Sequence, residues 1–366
     1  MKSLAWLTEE VLRDCGTRCG ADPSRDILTV SKRTEHEGES FLTITLPDLG
    51  GAFDRAIALG RLDPSMTPAF RWHHLGLPKF LRGFLIQVFS LDGSLLPTPS
   101  LDCIEAVRQI CSLQKKVFRE CSDERKAKAL SGYKETDDEL DTGFPANDQD
   151  ALRAFRFVAG VVWTSLLRKF PYGDLYDRLR PKHGPGATVE HVHGNSKYVH
   201  RKWHSRLEEQ FPYTEFGLAS VRNLGEDDCP LERVQFIEPQ DEAPVRVTFV
   251  PKTMKTPRVI AIEPVCMQYM QQALLTTLVP LIEQGRYTGG KVNFSDQTIN
   301  GALALSSSRD GRFATIDMKE ASDRVSLAHV SVMLESVPIL RDQVLACRST
   351  RALLPNGDIV AVKKFA

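Results

Sequence analysis

The segment Phe313–Asp323 constrains the fold and chemistry of this chain more than any other. Its short apolar run ends at Asp317, and a second carboxylate, Asp323, follows six residues later. The stretch Arg312–Ile316 is typical of a buried strand. Magnesium prefers one or two carboxylates plus substrate phosphates to a closed protein cage. The segment therefore predicts a strand with a metal ligand at its carboxyl end. Ser322 or Asp323 then suits the start of a helix.

A lone carboxylate after a strand is commonly only a capping or loop residue. The functional interpretation gives the two carboxylates different tasks. Asp317 would bind magnesium, and Asp323 would face the sugar of an incoming nucleotide and accept a hydrogen bond from a ribose hydroxyl. A bulky apolar residue at that place would instead exclude ribose.

A basic turn joins two predicted strands, Val245–Pro251 and Val259–Ile262. Four cations and no acid occur within thirteen residues: Arg246, Lys252, Lys255 and Arg258. Phosphoryl transfer needs such positive groups to hold a triphosphate and to neutralise charge on the leaving pyrophosphate. The alternative, a solvated basic hairpin, stays open for the turn taken alone.

Lys+Arg and Asp+Glu balance at 47 each, so the net charge does not indicate nucleic acid, but the distribution of charge does. Seven Lys or Arg and a single Glu lie between Arg178 and Arg206. This block, which includes Lys182, Arg201 and Lys202, suits a local RNA-binding surface together with Arg246. An ordinary solvated face is the competing interpretation.

The same block holds five of the nine histidines: His183, His191, His193, His200 and His204. Their spacing resembles that of metal ligands. No nearby Cys or Asp supports a zinc site, however, and the interleaved Tyr198 and Trp203 favour a surface that faces RNA.

Helical periodicity predicts one long amphipathic helix over 101–130, a mostly buried helix over 150–170 and another helix over 265–283. The acidic segment 135–150 is typical of an exposed loop, and Asn356-Gly357 predicts a hairpin over 354–362. Eight scattered cysteines, no signal peptide and no apolar run long enough to span a membrane favour a soluble intracellular protein without membrane contact.

In the second half of the chain, several segments occur in an order and spacing that resemble one protein family. They are Val250–Arg258 with Ile260–Pro264, Asn293–Asn300, Ala314–Asp323, and Arg348-Ser349 with Leu354–Asp358. The family is the catalytic subunit of the replicases of single-stranded RNA bacteriophages, an RNA-dependent RNA polymerase. A weaker match covers His183–Thr188, and little in the first 170 residues is specific.

The resemblance implies an α+β fold with right-hand fingers, palm and thumb. It implies a fingers-associated region over 1–150, fingers over 151–290 and the first part of the palm over 291–366. By position, Lys252, Lys255 and Arg258 would contact the incoming triphosphate. Asp317 would be the catalytic magnesium ligand, and Asp323 would select ribonucleotides.

The resemblance also implies cofactors and partners. The cofactors would be two magnesium ions, or manganese in their place. The partners would be an RNA template, nascent RNA and ribonucleoside triphosphates. Host elongation factors Tu and Ts and a ribosomal protein would assist in the cytoplasm of the infected bacterium.

The family supplies its other metal-binding carboxylates from a Gly-Asp-Asp hairpin. No such hairpin follows Asp317 in this sequence, and no thumb segment follows Asp317 either. Tyr172–Asp174 and Gly225–Asp228 contain similar letters, but they precede Asp317. A C-terminally truncated polymerase that does not extend RNA by itself is therefore expected.

Two alternatives remain at this point. A reverse transcriptase would use the same palm strand, although the polar Asp323 argues against one. A non-catalytic RNA-binding protein that keeps only the fingers would retain the basic turn.

Overall fold

In the computed structural model of the chain, residues 2–140, 149–168, 175–218 and 230–365 are described. The structure mixes helices and sheets, so the α+β class is confirmed. The helices are α1 (Lys2–Cys19), α2 (Ser24–Glu37), α3 (Leu46–Leu59), α4 (Arg82–Leu85), α5 (Leu101–Ser112), α6 (Asp123–Glu139), α7 (Gln149–Leu167), α8 (Ser205–Gln210), α9 (Tyr213–Phe216), α10 (Val265–Glu283), α11 (Thr298–Asp310), α12 (Leu327–Met333) and α13 (Pro338–Ala346).

Within the described residues, the strands form two small sheets. They are β1 (Lys202–His204), β2 (Gln235–Ile237), β3 (Val245–Val250), β4 (Arg258–Ile262), β5 (Arg351–Leu353) and β6 (Ile359–Ala361). β1 pairs with β2 in parallel, and the larger sheet has the order β4-β3-β5-β6. In the larger sheet, β3 runs parallel to β5 and β5 runs antiparallel to β6. The basic turn therefore leaves from the same sheet that receives the C-terminal hairpin.

The chain divides into two compact units. The first comprises Met1–Leu130 and Phe249–Arg258, and the second comprises Ser131–Thr248 and Val259–Ala366. The tip of the basic turn thus belongs to the first unit, whereas Asp317 and Asp323 belong to the second. The functional division at residues 150 and 290 stays a prediction, because compactness reports packing and does not test functional roles.

The core of the first unit forms where α1, α3 and α5 pack together. Leu12, Phe53 and Ile110 are almost fully buried there. α3 and α5 approach so closely that a Cβ atom on Gly50 would lie 2.9 Å from the Cβ of Cys111. Real Cβ atoms almost never come this close, so the contact between these helices requires glycine at position 50.

The core of the second unit surrounds Trp203 and the buried face of α10. Met267 and Met270 are fully buried beside it, together with Leu340 of α13. The Trp203 indole N–H donates to the carbonyl of Phe211 at 3.2 Å, which satisfies the one polar group of this side chain. α10 is therefore the element around which the second core is organised.

Several predictions from local patterns are confirmed. α10 has the bounds that its periodicity predicts, and β3 and β4 lie where alternation places them. The hairpin around Asn356-Gly357 joins β5 to β6, with Gly357 in the left-handed region at φ 90°. These elements depend on periodicity, alternation and turn residues, all of which can be read from neighbouring positions in the sequence.

The prediction of one helix over 101–130 is wrong. α5 ends at Ser112 and α6 begins only at Asp123. Between them, Arg119 forms an ion pair with Glu39 at 2.8 Å, and the Cys121 thiol donates to the carbonyl of Thr253. Tertiary contacts thus override the helical preference of this segment.

The prediction of a mostly buried α7 is also wrong, since Phe157 is 72% exposed and Val158 is 57% exposed. Apolar residues lie on several sides of α7, and part of the helix packs against α12. The acidic segment is partly helical rather than an exposed loop: α6 continues to Glu139, and Thr136 and Asp137 are buried. Residues 141–148 lie outside the described part.

In the described ranges, no helix combines the length and apolar character needed to cross a bilayer.

Replacing the buried Met270 with Ala should lower the free energy of unfolding of the second unit by about 2–5 kcal/mol, because the truncation leaves a cavity. Leu275→Ala on the exposed face of the same helix should change it by less than about 0.5 kcal/mol. Urea denaturation, followed through hydrogen exchange of α10, measures both. Equal effects would contradict the placement of this core.

Candidate functional site

Asp317 lies on an exposed, irregular segment. Residues 312–318 adopt no regular structure, and Ile316 is 83% exposed. The expectation of a buried strand is wrong, because no strand in the described ranges pairs with this segment and supplies partners for its backbone groups. The Asp317 carboxylate is therefore open to solvent.

A tight turn follows Asp317. Glu320 has a positive φ of 53°, which is strained for a residue with a side chain, and its carbonyl accepts from the N–H of Arg324. The Glu320 carboxylate accepts from the hydroxyl of Thr136, and Arg324 pairs with Glu139 at 2.8 Å. Two links to α6 thus fix the turn.

The helix after the turn starts later than expected. α12 begins at Leu327, and the hydroxyl of Ser326 caps it by accepting from the N–H of His329. The prediction of a start at Ser322 or Asp323 is wrong, because the turn at Glu320 occupies that stretch. Ser326 belongs to the same class of N-cap residue, and its signal was available in the sequence.

Asp323 binds a buried cation. The Lys364 ammonium donates to Oδ1 of Asp323 at 2.7 Å, and the Lys364 side chain is 1% exposed. The same ammonium lies 3.3 Å from the ring centroid of Tyr133, a cation–π contact. Burial, followed by the charge of Asp323, raises the pKa of Tyr133, so its hydroxyl stays neutral.

Further bonds fix the backbone around Lys364. Asp137 of α6 accepts from the N–H groups of Lys363 and Lys364 at 3.0–3.1 Å. The Arg348 guanidinium donates to the carbonyls of Val362 and Lys364. The segment after β6, α6 and the turn that carries Asp323 are therefore joined by one polar network.

Glu263, directly after β4, lies close to this network. Its carboxylate accepts from the hydroxyl of Ser349 and interacts with Gln271. Burial raises the pKa of Glu263, and the nearby Arg206 and Arg348 oppose that shift.

The cations of the basic turn differ in their surroundings. Lys252 and Arg258 are exposed. Lys255 pairs with Asp48 at 2.8 Å and lines a cavity of about 590 Å³ in the first unit, together with Arg55 and Lys115. Arg246 is half-buried on β3, and its Nε has no hydrogen-bond partner among the described residues.

Hydrogen bonds from α6 and the residues just before it hold the backbone of the basic turn. Arg125 of α6 donates to the carbonyl of Met254 at 3.1 Å, next to the bond from Cys121 to Thr253. The Thr253 hydroxyl donates to the carbonyl of Thr256. The turn thus presents Lys252 and Arg258 on a supported loop.

Lys182, Arg201 and Lys202 are exposed, and Lys202 begins β1. The glycine-rich loop beside Lys182 is held by the buried Lys197, whose ammonium donates to the carbonyls of Gly184 and Gly186. These three cations remain accessible, as an RNA-binding surface requires.

The expected RNA-facing role is wrong for His200 and His204, which are buried, and for His183, which is largely enclosed. The rings of His183 and His200 pack against Tyr269 with centroid distances of 4.8 and 4.5 Å. The two imidazole rings therefore pack in the core and do not face RNA. In the described part of the chain, no group of three or more His, Cys, Asp or Glu side chains is arranged to hold a metal.

Burial sets the protonation of this histidine pair. It lowers the pKa of His200 to about 3 and, with the nearby Lys197, that of His183 to about 4.

Two segments with letters similar to Gly-Asp-Asp, Tyr172–Asp174 and Gly225–Asp228, lie outside the described residues.

A family model described as RNA replicase, beta-chain, matches residues 229–366. Over this range the chain resembles an RNA replicase beta-chain. The resemblance predicted from the motifs is therefore confirmed for this part of the chain. The replicase-like region includes Arg246, the basic turn, Asp317 and Asp323, whereas Lys182, Arg201 and Lys202 precede it.

Curated relatives carry a name that agrees with this match. "RNA-directed RNA polymerase subunit beta" of Enterobacteria phage SP is 31% identical over 196 residues, which is 54% of this chain and 31% of the relative. The proteins of the same name from Qbeta virus (strain MX1) and Escherichia virus Qbeta are each 34% identical, over 32% and 37% of this chain and 19% and 21% of their own length. The chain thus matches less than a third of the length of these relatives.

Sequence reasoning missed the polar network around Lys364. Lys364 contacts Asp137 and Tyr133 across more than 220 positions, and no local pattern marks such pairs. The buried Lys364 looked like an ordinary basic residue near the end of the chain.

Breaking the Asp323–Lys364 pair should be costly, because a buried ammonium is left without its carboxylate. Asp323→Asn should lower the free energy of unfolding by about 2 kcal/mol, less than for a fully buried pair, since the Tyr133 ring remains. Asp150→Asn, which breaks an exposed pair with Arg153, should cost less than about 1 kcal/mol. A double-mutant cycle with Lys364→Met measures the coupling, and additive effects would argue against the pair.

Acid should destabilise the second unit through its histidines. The unfolded chain takes up protons below about pH 6.5, whereas folded His200 stays neutral down to about pH 3, so stability falls as pH drops from 6.5 towards 3. His200→Gln should reduce the slope of unfolding free energy against pH by up to about 1.4 kcal/mol per pH unit. Urea denaturation between pH 7 and pH 5 measures this slope. The exposed His193→Gln is the control, and an unchanged slope in His200→Gln would contradict the burial argument.

Proposed function

We propose that this chain is part of an RNA-directed RNA polymerase of an RNA phage, which joins ribonucleotides in the order set by an RNA template. The observation that carries the proposal is the replicase match over 229–366, because this range contains the carboxylates and the basic turn that nucleotidyl transfer requires. The relatives' shared name supports the same reaction.

The proposal includes a right-hand architecture. The basic turn between β3 and β4 is assigned to the fingers, and the segment from 291 onwards is assigned to the first part of the palm. Residues 1–150 are assigned to a fingers-associated region. Support comes from the order of the motifs along the chain.

Asp317 is the proposed catalytic metal ligand. Its exposed carboxylate is a hard oxygen donor, and magnesium suits a site with few carboxylates that is completed by substrate phosphates. Asp317 would thus hold one ion directly. Bound magnesium, or manganese, would neutralise charge on the triphosphate and favour attack by the primer oxygen.

Lys252, Lys255 and Arg258 would bind the triphosphate. Lys supplies a point charge, and Arg supplies a two-pronged fork for phosphate oxygens. Lys252 and Arg258 are exposed, whereas Lys255 would first have to exchange Asp48 for a phosphate. We therefore assign the larger contributions to Lys252 and Arg258. Arg246, Lys182, Arg201 and Lys202 are assigned to the RNA backbone.

Asp323 is the proposed ribose selector. Lys364 contacts its Oδ1, so Oδ2 is left to accept a bond from a 2′-hydroxyl. The hydrogen bond from the Lys364 ammonium would hold the carboxylate in position while it does so. This arrangement favours ribonucleotides over the deoxyribonucleotides of a reverse transcriptase.

The RNA template, nascent RNA and ribonucleoside triphosphates are the proposed partners of the whole subunit. Elongation factors Tu and Ts and a ribosomal protein are further proposed partners, and the cytoplasm of the infected bacterium is the proposed location.

The purified 366-residue chain should bind GTP with magnesium, and the double variant Lys252→Gln/Arg258→Gln should bind it at least about tenfold more weakly, because two charged contacts are lost. Asp317→Asn should remove the gain in affinity that magnesium gives. Isothermal titration measures each. Lys32→Gln, an exposed lysine of α2, is the matched control and should bind like the parent.

Comparison with dGTP separates the polymerase classes. A preference for GTP supports the RNA polymerase, and equal or tighter binding of dGTP supports a reverse transcriptase. If the chain binds RNA but no nucleotide under any of these conditions, the non-catalytic alternative replaces the proposal.

A further inference from the structure

A cavity of about 610 Å³ in the second unit is lined by four arginines. They are Arg168, directly after α7, Arg178 and Arg180, and Arg286, shortly after α10. All four side chains are exposed. Among the described residues that line this cavity there is no Asp or Glu, so its surface is strongly positive.

A second cavity, of about 500 Å³, adjoins the first. The two share Ser165, Arg168 and Arg286, so they form one continuous groove along α7, called here the arginine groove. No described acidic residue lines the second cavity either. The groove follows α7 from Arg156 to Leu166, which is about 15 Å of helix.

The second cavity adds exposed aromatic rings to the charge. Phe157 is 72% exposed and Tyr287 is 42% exposed. The Arg286 guanidinium lies 5.4 Å from the ring centroid of Tyr287. Aromatic rings exposed beside cations are a feature of surfaces that bind single-stranded nucleic acids.

Not every arginine of the groove is equally available. Arg156 pairs with Glu335 at 2.6 Å, and Arg180 donates to the carbonyls of Asp177 and Leu179. Arg168 and Arg286 lie where the two cavities meet. They are therefore the central cations of the groove.

We propose that the arginine groove binds single-stranded RNA, with phosphates on Arg168 and Arg286 and bases stacked on Phe157 and Tyr287. A positive groove that follows the backbone, combined with aromatic platforms, is the general way in which proteins bind single strands. This inference rests on the proposed function, since it assumes that the chain handles RNA. It adds a binding site outside the basic turn and the carboxylates.

The dimensions favour a strand over other anions. At about 3.4 Å per stacked nucleotide, 15 Å accommodates about four nucleotides, more than a single triphosphate. A duplex would hide the faces of its bases from Phe157 and Tyr287. An acidic peptide would match the charge but would leave both rings without stacking partners.

The experiment measures binding of a fluorescently labelled 12-residue oligouridine to the full chain by anisotropy, at several salt concentrations. Arg168→Gln/Arg286→Gln should weaken binding about tenfold or more. Two lost phosphate contacts should also reduce the slope of log affinity against log salt by about 1.4. Arg153→Gln, an exposed arginine of α7 outside the groove, should bind like the parent.

Two further measurements test the details of the groove. Arg168→Lys/Arg286→Lys should restore most of the salt slope, because it keeps the charge. Phe157→Leu should weaken binding of oligouridine but not of an abasic strand of equal charge, because only the former can stack. Photo-crosslinking with 4-thiouridine should label the peptide 157–168 or Tyr287.

The proposal of an RNA-binding groove would be overturned if Arg168→Gln/Arg286→Gln bound oligouridine as tightly as the parent, or if the parent bound no RNA. Displacement of RNA by oligoglutamate of equal charge at lower concentration would also overturn it and indicate a protein partner. These outcomes are independent of the GTP titration. If the groove variants bind RNA like the parent but the chain binds GTP, the groove proposal is overturned and the proposed polymerase stands. If the chain binds no GTP but the groove variants lose RNA binding, the groove proposal stands and the proposed polymerase is overturned.

Discussion

The arrangement of the second unit depends on the buried ammonium of Lys364. Its charge requires partners, and Asp323 and the ring of Tyr133 supply them. The same stretch of backbone is held by Asp137 and Arg348. Because Tyr133 belongs to α6 and Asp323 to the turn that follows Asp317, the Lys364 side chain connects both to the segment after β6. A candidate nucleotide-contacting residue is therefore positioned by the interior of the protein, although Asp317 nearby is open to solvent.

The sequence predicts those parts of the fold that depend on neighbours along the chain. The periodicity of α10, the alternation of β3 and β4 and the Asn356-Gly357 turn are all short-range signals, and each element is found where they indicate. Long-range contacts set the remaining parts. The strand expected before Asp317 is absent because strand formation needs a partner, and the break after α5 reflects contacts with Glu39 and Thr253.

The candidate site follows the same rule. Residue types and their order along the chain identified Asp317, Asp323 and the basic turn as candidates. The histidines were misassigned, since a His beside Lys and Arg looks the same in a sequence whether its ring faces solvent or packs on Tyr269. The arginine groove could not be recognised in the sequence, because Arg168 and Arg286 line one cavity although they lie far apart in the chain.

The insertion of Phe249–Arg258 into the first unit has a consequence for synthesis of the protein. Residues 1–130 leave the ribosome first, yet the segment that supplies Thr253 and Lys255 to this unit emerges only about 118 residues later, roughly 6 to 24 seconds at common elongation rates. Until then, Asp48 lacks its lysine and Cys121 lacks its carbonyl partner. The first unit therefore completes its fold after about half of the second has been made, and the basic turn is among the last parts of it to be fixed.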